Sequence, residues 1–362
     1  MTDACAPKPG SGDAPAVLED LLRWAEAAHA SDVHLQQNGN AVTLAFRLDG
    51  RITAAGELTG PIGERVLGRI KYLARLKTYQ ESLPQDGRIE RGEAGTRCDI
   101  RVSTYPTVTG EKIVLRLFDT GEVRTLSQLG LPADTQVEVE RFLAGQTGMM
   151  LLTGPAGSGK TTTIYACLRH VAAEGGRHII TVEDPVEQVI PGLMQTEVNE
   201  AAGLDFARAA RHLLRQDPQV LVLGEIRDEE TARLALRAAL TGHQVISTLH
   251  AGSCQGVFDR LLLLSHEPYV VFSAVELVLN QRLIRRYCEA CKGSGCAGCL
   301  GTGYRGRIPV VEHLRMTDAL RAAARTEGTG VLRSVRPLSL VAQEYPAAGV
   351  TSSAEIGRIL SA

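Results

Sequence analysis

A glycine-rich loop with the spacing G-x-x-x-x-G-K-[ST] restricts the fold of this chain more than any other feature. It consists of Gly154, Pro155, Ala156, Gly157, Ser158, Gly159, Lys160 and Thr161. An apolar run precedes it at 149–152, and a helix-like segment begins at Thr162. Glycines allow backbone N–H groups to surround phosphates, the helix start adds its positive end, the lysine reaches the β- and γ-phosphates, and the threonine hydroxyl ligates Mg²⁺. The order of strand, loop and helix therefore predicts that this loop, together with Thr162, binds a nucleoside triphosphate and its magnesium ion.

The composition is typical of a globular protein and gives no sign of a basic nucleic-acid surface. The chain has 362 residues, 44% of them hydrophobic and 22% charged, with a formal net charge of −2. Its lysines and arginines form no block, so direct nucleic-acid binding is not expected. No apolar run approaches the roughly 18 to 20 residues that cross a bilayer, and the Ala-, Gly- and Pro-rich start does not resemble a signal peptide. Residues 1–16 are therefore predicted to be a disordered arm of a cytosolic protein.

The hydrophobic pattern predicts a first domain over 17–119. Helical and strand-like spacings are mixed there, which indicates an α+β domain. The expected helices are 18–30 and 62–76, and the expected strands are 42–46, 97–102 and 112–118. The polar segment 120–127 is expected to be a linker.

A second domain is predicted over 128–287. Short apolar runs alternate there with helical patterns, which favours a parallel sheet covered on both faces and hence an α/β nucleotide-binding core. The expected strands are 148–153, 178–182, 220–223 and 244–248. A compact cysteine-rich module at 288–309 and an alanine-rich region at 310–362, which is expected to be helical, complete the chain.

Acidic side chains follow two of these strands. Glu183 and Glu187 lie in the segment after the second strand, and Glu225 follows the third. Ligands of α/β proteins bind beyond the carboxyl ends of the strands, so these carboxylates should meet the phosphates. Glu225 is placed to hold the magnesium ion or its water, and the acids after the second strand to orient or deprotonate an attacking water. The alternative for the segment 183–187 is a solvated acidic turn.

Histidines and arginines are further candidates for phosphate contact. His243 and His250 bracket the fourth strand, although a lone histidine is more often structural. The first domain carries Arg47, Arg51, Arg88, Arg101 and Arg116. Many NTPases stabilise the charge that develops on the γ-phosphate with an arginine from another domain or subunit. Each of these arginines is either such a residue or an ordinary surface arginine.

Four cysteines form two C-x-x-C pairs that are separated by four residues. They are Cys288, Cys291, Cys296 and Cys299. Four thiolates at this spacing predict a tetrahedral Zn²⁺ site, which is structural because no coordination position stays open. Disulfide bonds are the alternative, but a reducing cytosol argues against them. The scattered cysteines Cys5, Cys98, Cys167 and Cys254 are expected to be ordinary thiols.

The ordered motifs resemble those of the type II/type IV secretion ATPases, the motors of type II secretion and type IV pili. The matching segments are Ser31–His34, Phe46–Gly50, Leu83–Arg88, Arg101–Thr104, Gly110–Arg116, the phosphate loop, Thr181–Glu187, Leu214–Pro218, Gly224–Asp228 and Thr241–His250. The cysteine segment, closed by Gly303–Arg307, looks like the cysteine module of the secretion and pilus-assembly branch, which the retraction branch generally lacks.

The resemblance implies a RecA-like P-loop core preceded by a smaller PAS-like domain, in a homohexameric ring with ATP between the two domains. It implies that Glu225 has the Walker B role and that Glu187 activates water, with Glu183 as the second candidate. The remaining implied roles are γ-phosphate sensing by His243 and His250, completion of the site by Arg101 and Arg116, and support from Arg215 and Arg227. The implied location is the cytoplasmic side of the inner membrane, where partners hold the ring and a platform protein receives the movement during pilus or pseudopilus assembly.

Two other functions are compatible with the same motifs. One is a retraction or DNA-uptake motor of the same superfamily, and the other is a nucleotide-gated scaffold with negligible hydrolysis. Larger family members carry an additional N-terminal domain that docks a membrane-anchored partner, whereas this sequence begins almost directly at the Ser31–His34 segment. The mode of docking therefore stays open, as do the secreted substrate or pilin and the firing order in the ring.

Overall fold

The structure, a computed structural model, describes residues 12–117 and 124–360. The chain divides into two compact units. The first comprises Met1–Glu122 with Arg285–Arg307, and the second comprises Val123–Ile284 with Ile308–Ala362. Part of the expected arm and part of the expected linker lie outside the described residues. The first helix begins at Ala14, inside the segment that was expected to be disordered, because the Asp13 carboxylate caps it by accepting a hydrogen bond from Ala16 N at 3.1 Å.

The first unit is an antiparallel sheet with two helices. Its elements are α1 (Ala14–Ala27), β1 (Asp32–Asn38), β2 (Ala41–Leu48), β3 (Arg51–Thr59), α2 (Pro61–Leu73), β4 (Gln85–Ile89), β5 (Ile100–Thr107) and β6 (Gly110–Leu117). The strand order is β3-β2-β1-β6-β5-β4. Apolar residues at helical spacing on α1, such as Leu18 and Leu22, are buried in one core with alternate residues of the strands, such as Val33 and Phe46.

The second unit is built on a parallel sheet. Its helices are α3 (Ala133–Ala144), α4 (Lys160–Glu174), α5 (Phe206–Leu213), α6 (Glu229–Leu240), α7 (Cys254–Ser265), α8 (Pro268–Ala274), α9 (Asp318–Glu327), α10 (Leu338–Ala347) and α11 (Ser353–Leu360). Its strands are β7 (Gly148–Thr153), β8 (Ile179–Glu183), β9 (Met194–Glu197), β10 (Val220–Leu223), β11 (Gln244–Thr248), β12 (Val275–Tyr287) and β13 (Tyr304–Arg315). The end of β12 and the start of β13 are counted with the first unit.

The sheet of the second unit has the order β13-β12-β7-β11-β10-β8-β9, and the neighbours from β12 to β9 run parallel. Alternate residues of β7 enter two different cores. Met149 and Leu151 belong to one, and Met150 and Leu152 belong to the other. The predicted parallel sheet with both faces covered is therefore confirmed, and it brings the carboxyl ends of β7, β8, β10 and β11 to one edge.

The end of the chain differs from the expectation. The region from 310 onward was expected to be helical, but β13 continues to Arg315, and the first helix after it begins at Asp318. Val310, Val311 and Glu312 are buried in this strand. The charged Glu312 interrupts the apolar pattern, so the sequence did not indicate a buried strand there. In the part of the chain that the structure describes, no helix is long and apolar enough to cross a membrane.

Candidate functional site

The phosphate loop joins β7 to α4 in a conformation that requires its glycines. Gly154 has φ +140° and Gly159 has φ +87°. A Cβ atom at Gly154 would lie 2.3 Å from the carbonyl oxygen of Gln281 on β12, so no other residue fits there. Lys160 Nζ donates hydrogen bonds to two carbonyls of its own loop, Gly154 O at 2.9 Å and Pro155 O at 3.1 Å. Burial lowers the pKa of Lys160, against the opposing attraction of Glu225.

A cavity of about 280 Å³ opens beside this loop, within the second unit. The predicted residues that line it are Ala156, Gly157, Lys160, Thr161, Glu183, Glu187, Glu225, Arg227 and His250. They come from the loop after β7 and from the carboxyl ends of β8, β10 and β11. Asp184 lines it as well, so one concave surface combines a phosphate-binding loop with four carboxylates, a guanidinium and an imidazole.

Glu183, the last residue of β8, is buried and tightly held. One oxygen of its carboxylate accepts from the hydroxyl of Thr181 at 2.5 Å and from the amide of Gln195 at 3.1 Å. The other accepts from the hydroxyl of Tyr165 on α4. Three donors on one carboxylate are typical of an anchoring group, and they leave it little capacity to bind and deprotonate water.

Glu187 differs from Glu183 in its environment. Its carboxylate has no hydrogen bond or ion pair with any residue that the structure describes, and Glu187 lines the cavity. Partial burial and, secondarily, the negative charge of Glu183 raise the pKa of Glu187. A free carboxylate with a raised pKa is suited to proton transfer. The role of Glu187 in activating water, with Glu183 as the second candidate, stays a prediction.

Glu225 lies just beyond β10, between the side chains of Arg227 and His250. Its Oε2 accepts a hydrogen bond from Arg227 Nε at 2.8 Å, and its Oε1 is 3.2 Å from His250 Nε2. The guanidinium of Arg227 is also 3.8 Å from the carboxylate of Asp184. The hydrogen bond to Glu225 raises the pKa of Arg227 further above its already high value. This cluster links the ends of β8, β10 and β11.

Several predicted residues lie elsewhere. His243 precedes β11 and therefore lies at the amino ends of the parallel strands, opposite the ends that meet the phosphate loop. Its Nδ1 is 3.0 Å from Ala238 O. Within one chain the structure therefore does not bring it to the cavity with His250. Arg215, which follows α5, and Thr162 are exposed and do not line the cavity either.

Arg101 and Arg116 belong to the first unit, where they face each other across β5 and β6. Arg116 Nε donates to Asp32 Oδ1 at 2.9 Å, and Arg47 Nε lies 3.0 Å from the other oxygen of the same carboxylate. Burial alone would raise the pKa of Asp32, but the hydrogen bonds from Arg116 and Ser31 and the nearby arginine charges lower it overall. The role of Arg101 and Arg116 at a nucleotide stays a prediction.

Gln281 is a residue of the site that the sequence did not reveal. It is buried on β12, its Nε2 donates to Ser158 O at 2.8 Å, and its Oε1 accepts from Thr163 Oγ1 at 3.0 Å. One amide thus holds both the phosphate loop and the first turn of α4. The available signal was the polar triplet 280–282, which interrupts an otherwise apolar strand pattern.

The four clustered cysteines converge in the first unit. All four Sγ atoms lie within 4.8 Å of one another, and the separations for Cys288–Cys296, Cys291–Cys299 and Cys296–Cys299 are 3.9, 3.8 and 3.7 Å. These distances exclude disulfide bonds, and they match the sulfur separation of about 3.8 Å that follows from Zn–S bonds of about 2.3 Å in a tetrahedron. The cluster can therefore hold a metal ion.

The surroundings of Cys299 favour its thiolate form. Burial raises the pKa of Cys299, but the backbone N–H groups of Cys296 and Gly303, together with the neighbouring thiols, lower it to about 6. Leu300 packs against the core of the first unit, and the Asp49 carboxylate accepts from Gly306 N at 2.9 Å.

Comparison with known proteins gives consistent results. The family model for type II/IV secretion system proteins matches residues 10–348. The chain is 38% identical over 333 residues to the putative type II secretion system protein E of Escherichia coli K12, which covers 85% of this chain and 67% of that protein. It is 38% identical over 334 residues to the type IV pilus assembly ATPase PilB of Thermus thermophilus, covering 84% of this chain and 38% of PilB. The crystal structure of the pilus retraction motor PilT with bound ADP has a TM-score of 0.67 at 25% identity, covering 94% of this chain and 96% of PilT.

Proposed function

We propose that this protein is a hexameric motor that drives assembly of a pilus or pseudopilus. The chain belongs to the type II/IV secretion system protein family and is an ATP-hydrolysing enzyme, and the proposal starts from these two facts. The observation that carries the proposal is the single cavity in which Lys160, Glu187 and Glu225 meet beside the phosphate loop. A ring with a PAS-like first domain and a RecA-like second domain would place Arg101 and Arg116 at a nucleotide and complete the site. His243 and Arg215 would contribute only in such an assembly.

The phosphates of ATP would replace the two loop carbonyls at Lys160 Nζ. Charged phosphate oxygens are stronger acceptors than neutral carbonyls, so the exchange favours binding. The hydroxyl of Thr161 and the carboxylate of Glu225 are oxygen donors of the kind that Mg²⁺ prefers, and the bound ion would supply positive charge to the phosphates. Arg227 and His250 orient the Glu225 carboxylate from either side.

Hydrolysis would proceed with Glu187 as the proton acceptor. A water oxygen attacks the γ-phosphorus, the bond to the β–γ bridging oxygen breaks, and the water proton moves to the Glu187 carboxylate. Positioning and charge stabilisation provide most of the acceleration in such phosphoryl transfers. Glu183 would keep its structural role in this scheme because its acceptor positions are occupied.

The cysteine cluster would hold one structural Zn²⁺, since four thiolates leave no position for a substrate. Such a module favours the secretion and assembly branch over a retraction or DNA-uptake motor. The greater identity to the secretion and assembly relatives than to PilT supports the same choice. The motor would work in the cytoplasm, held at the inner membrane through partners, and would move a platform protein without binding nucleic acid.

The test is steady-state ATPase activity measured separately on monomer and hexamer fractions. Activity confined to hexamers, and lost in Lys160→Ala, Glu225→Gln and Arg101→Ala, supports the motor. Arg23→Ala is a matched control, because Arg23 is an exposed arginine of the first unit whose ion pair, among the described residues, is with Asp20 on its own helix. Equal turnover in the monomer fraction would contradict the ring, and unaltered turnover in Lys160→Ala would contradict the site.

Metal content separates the two motor classes. About one zinc per chain, lost in Cys288→Ser, is the expected result for the assembly branch. A chain purified without zinc would remove that argument. A nucleotide-gated scaffold would bind ATP without turnover even when the cytosolic part of the platform protein is added.

A further inference from the structure

Tyr165 connects the helix that carries Lys160 and Thr161 to the acidic loop that carries Glu187. Its hydroxyl donates to Oε2 of Glu183 and accepts from the backbone N–H groups of Glu187 at 3.1 Å and Gln188 at 3.3 Å. A phenolic hydroxyl offers one donor and two acceptor positions, so all of its capacity is used here. Tyr165 is buried, with 4% of its surface exposed, and it lines the cavity.

The same loop is held a second time by Gln195 on β9. Its Nε2 donates to Glu183 Oε1 at 3.1 Å and to Gln188 O at 3.0 Å, and its Oε1 accepts from Ile190 N at 2.6 Å. Glu183 therefore lies at the centre of a closed network whose outer members are backbone groups of the segment 187–190. The network fixes the backbone of this segment and leaves the Glu187 side chain free.

We propose that Tyr165 is a positioning residue that fixes the place of the Glu187 carboxylate relative to the phosphate loop. The proposal rests on the proposed role of Glu187 in activating water. Because that carboxylate has no partner among the described residues, its location is determined by its backbone, and the Tyr165 hydroxyl holds the backbone N–H. The phenol lies on the helix that begins with Lys160, so its hydrogen bond fixes the position of Glu187 relative to the phosphate-binding residues of that helix.

The chemistry of the phenol suits a permanent link. Burial and the hydrogen bond to the Glu183 carboxylate raise the pKa of Tyr165, so the hydroxyl keeps its proton and continues to donate at neutral pH. The link is therefore constant, and proton transfer is left to Glu187.

The test is Tyr165→Phe in the full chain, with Tyr345→Phe as the matched control. The Tyr345 hydroxyl is also largely enclosed in the second unit, donates to Pro309 O at 2.8 Å and lies away from the cavity. Tyr165→Phe should lower kcat about 10- to 100-fold, since small misplacements of a catalytic group have effects of this size, while KM for ATP stays within about twofold. Hydrogen exchange should accelerate in the segment 184–190 and not in α4. Tyr345→Phe should leave both measurements as in the wild type.

Gln195→Met provides a second variant that does not alter the aromatic packing. It should also lower kcat and accelerate exchange in the segment 184–190. Wild-type kcat in Tyr165→Phe would overturn the proposal, whatever Gln195→Met shows. The proposal would also be overturned if nucleotide binding and the protection of α4 from hydrogen exchange were lost together with kcat, because that result indicates a general structural role. The variant Glu187→Gln separates this proposal from the one on which it rests. If Glu187→Gln keeps full turnover, the assignment of Glu187 as the base fails. If Glu187→Gln abolishes turnover while Tyr165→Phe has no effect, only the positioning role of Tyr165 fails.

Discussion

Replacement of Gln281 should weaken nucleotide binding although this residue does not line the cavity. In Gln281→Met the carbonyl of Ser158 loses its donor at 2.8 Å, and Ser158 is only 3% exposed, so water does not reach it without movement of the loop. A buried carbonyl without a partner costs about 1 to 3 kcal/mol. Thr163 also loses its bond to the amide, but its hydroxyl keeps a second bond to Gly159 O at 3.2 Å and adds little.

This cost should appear as lost affinity. In the free protein the phosphate loop can relax until water reaches the Ser158 carbonyl, whereas bound phosphates require the original loop conformation. Binding must restore the original loop conformation at a cost of about 1 to 3 kcal/mol, which corresponds to a dissociation constant roughly 5- to 150-fold higher. Gln281→Glu should be worse than Gln281→Met, because a carboxylate oxygen would then face the carbonyl.

The assay is titration with a fluorescent ATP analogue under conditions without turnover. Gln136→Met is the control, since the Gln136 amide donates to Glu140 on its own helix, α3, and Gln136 does not line the cavity. A folded Gln281→Met protein whose dissociation constant stays within about twofold of the wild type, well below the tenfold that 1.4 kcal/mol represents, would refute the reasoning.

Three further predictions follow from charges and thiols. Lys71→Met should destabilise the first unit by about 3 to 5 kcal/mol, because the buried Lys71 ammonium, 2% exposed, bonds both oxygens of the buried Glu111 carboxylate at 3.1 Å. Urea unfolding, followed by the fluorescence of the single tryptophan Trp24, should show this loss of stability, and the double variant Lys71→Met/Glu111→Leu should recover part of it. Cys299→Ser should release zinc and shift the same fluorescence transition to lower urea, and an unchanged transition would mean that the cluster does not support the first unit. The pKa of Glu187 is raised and the carboxylate must be ionised to accept a proton, so kcat should fall as the pH drops through a value above the ordinary glutamate pKa of about 4.3, and this acid limb should vanish in Glu187→Gln.

The sequence allowed the centre of the second unit to be predicted because its signals are local. The strands β7, β10 and β11 are short apolar runs with adjacent turns or polar ends, and the phosphate loop is a contiguous motif. The acids that follow β8 and β10 could be assigned to one edge because parallel strands end on the same side. For the same reason His243, at the start of its strand, could have been separated from His250 before the structure was known.

What the sequence did not reveal depends on contacts between distant segments. Gln281 reaches Ser158 across more than a hundred residues, and no periodicity indicates such a pairing. The strands β12 and β13 were obscured by buried polar residues such as Asn280 and Glu312, which bond each other at 3.3 Å. The different surroundings of Glu183 and Glu187 likewise depend on contacts of Tyr165 and Gln195, which the sequence did not reveal.

The path of the backbone between the two units limits how this protein can be divided. The chain passes from the first unit to the second after Glu122, returns after Ile284 and passes over again after Arg307, so three covalent connections join them. A single proteolytic cut between the units leaves both halves in one molecule. A fragment of either unit prepared for biochemical study needs a designed splice: the first must be joined to Arg285–Arg307, and the second must be closed across the gap that the removed segment leaves.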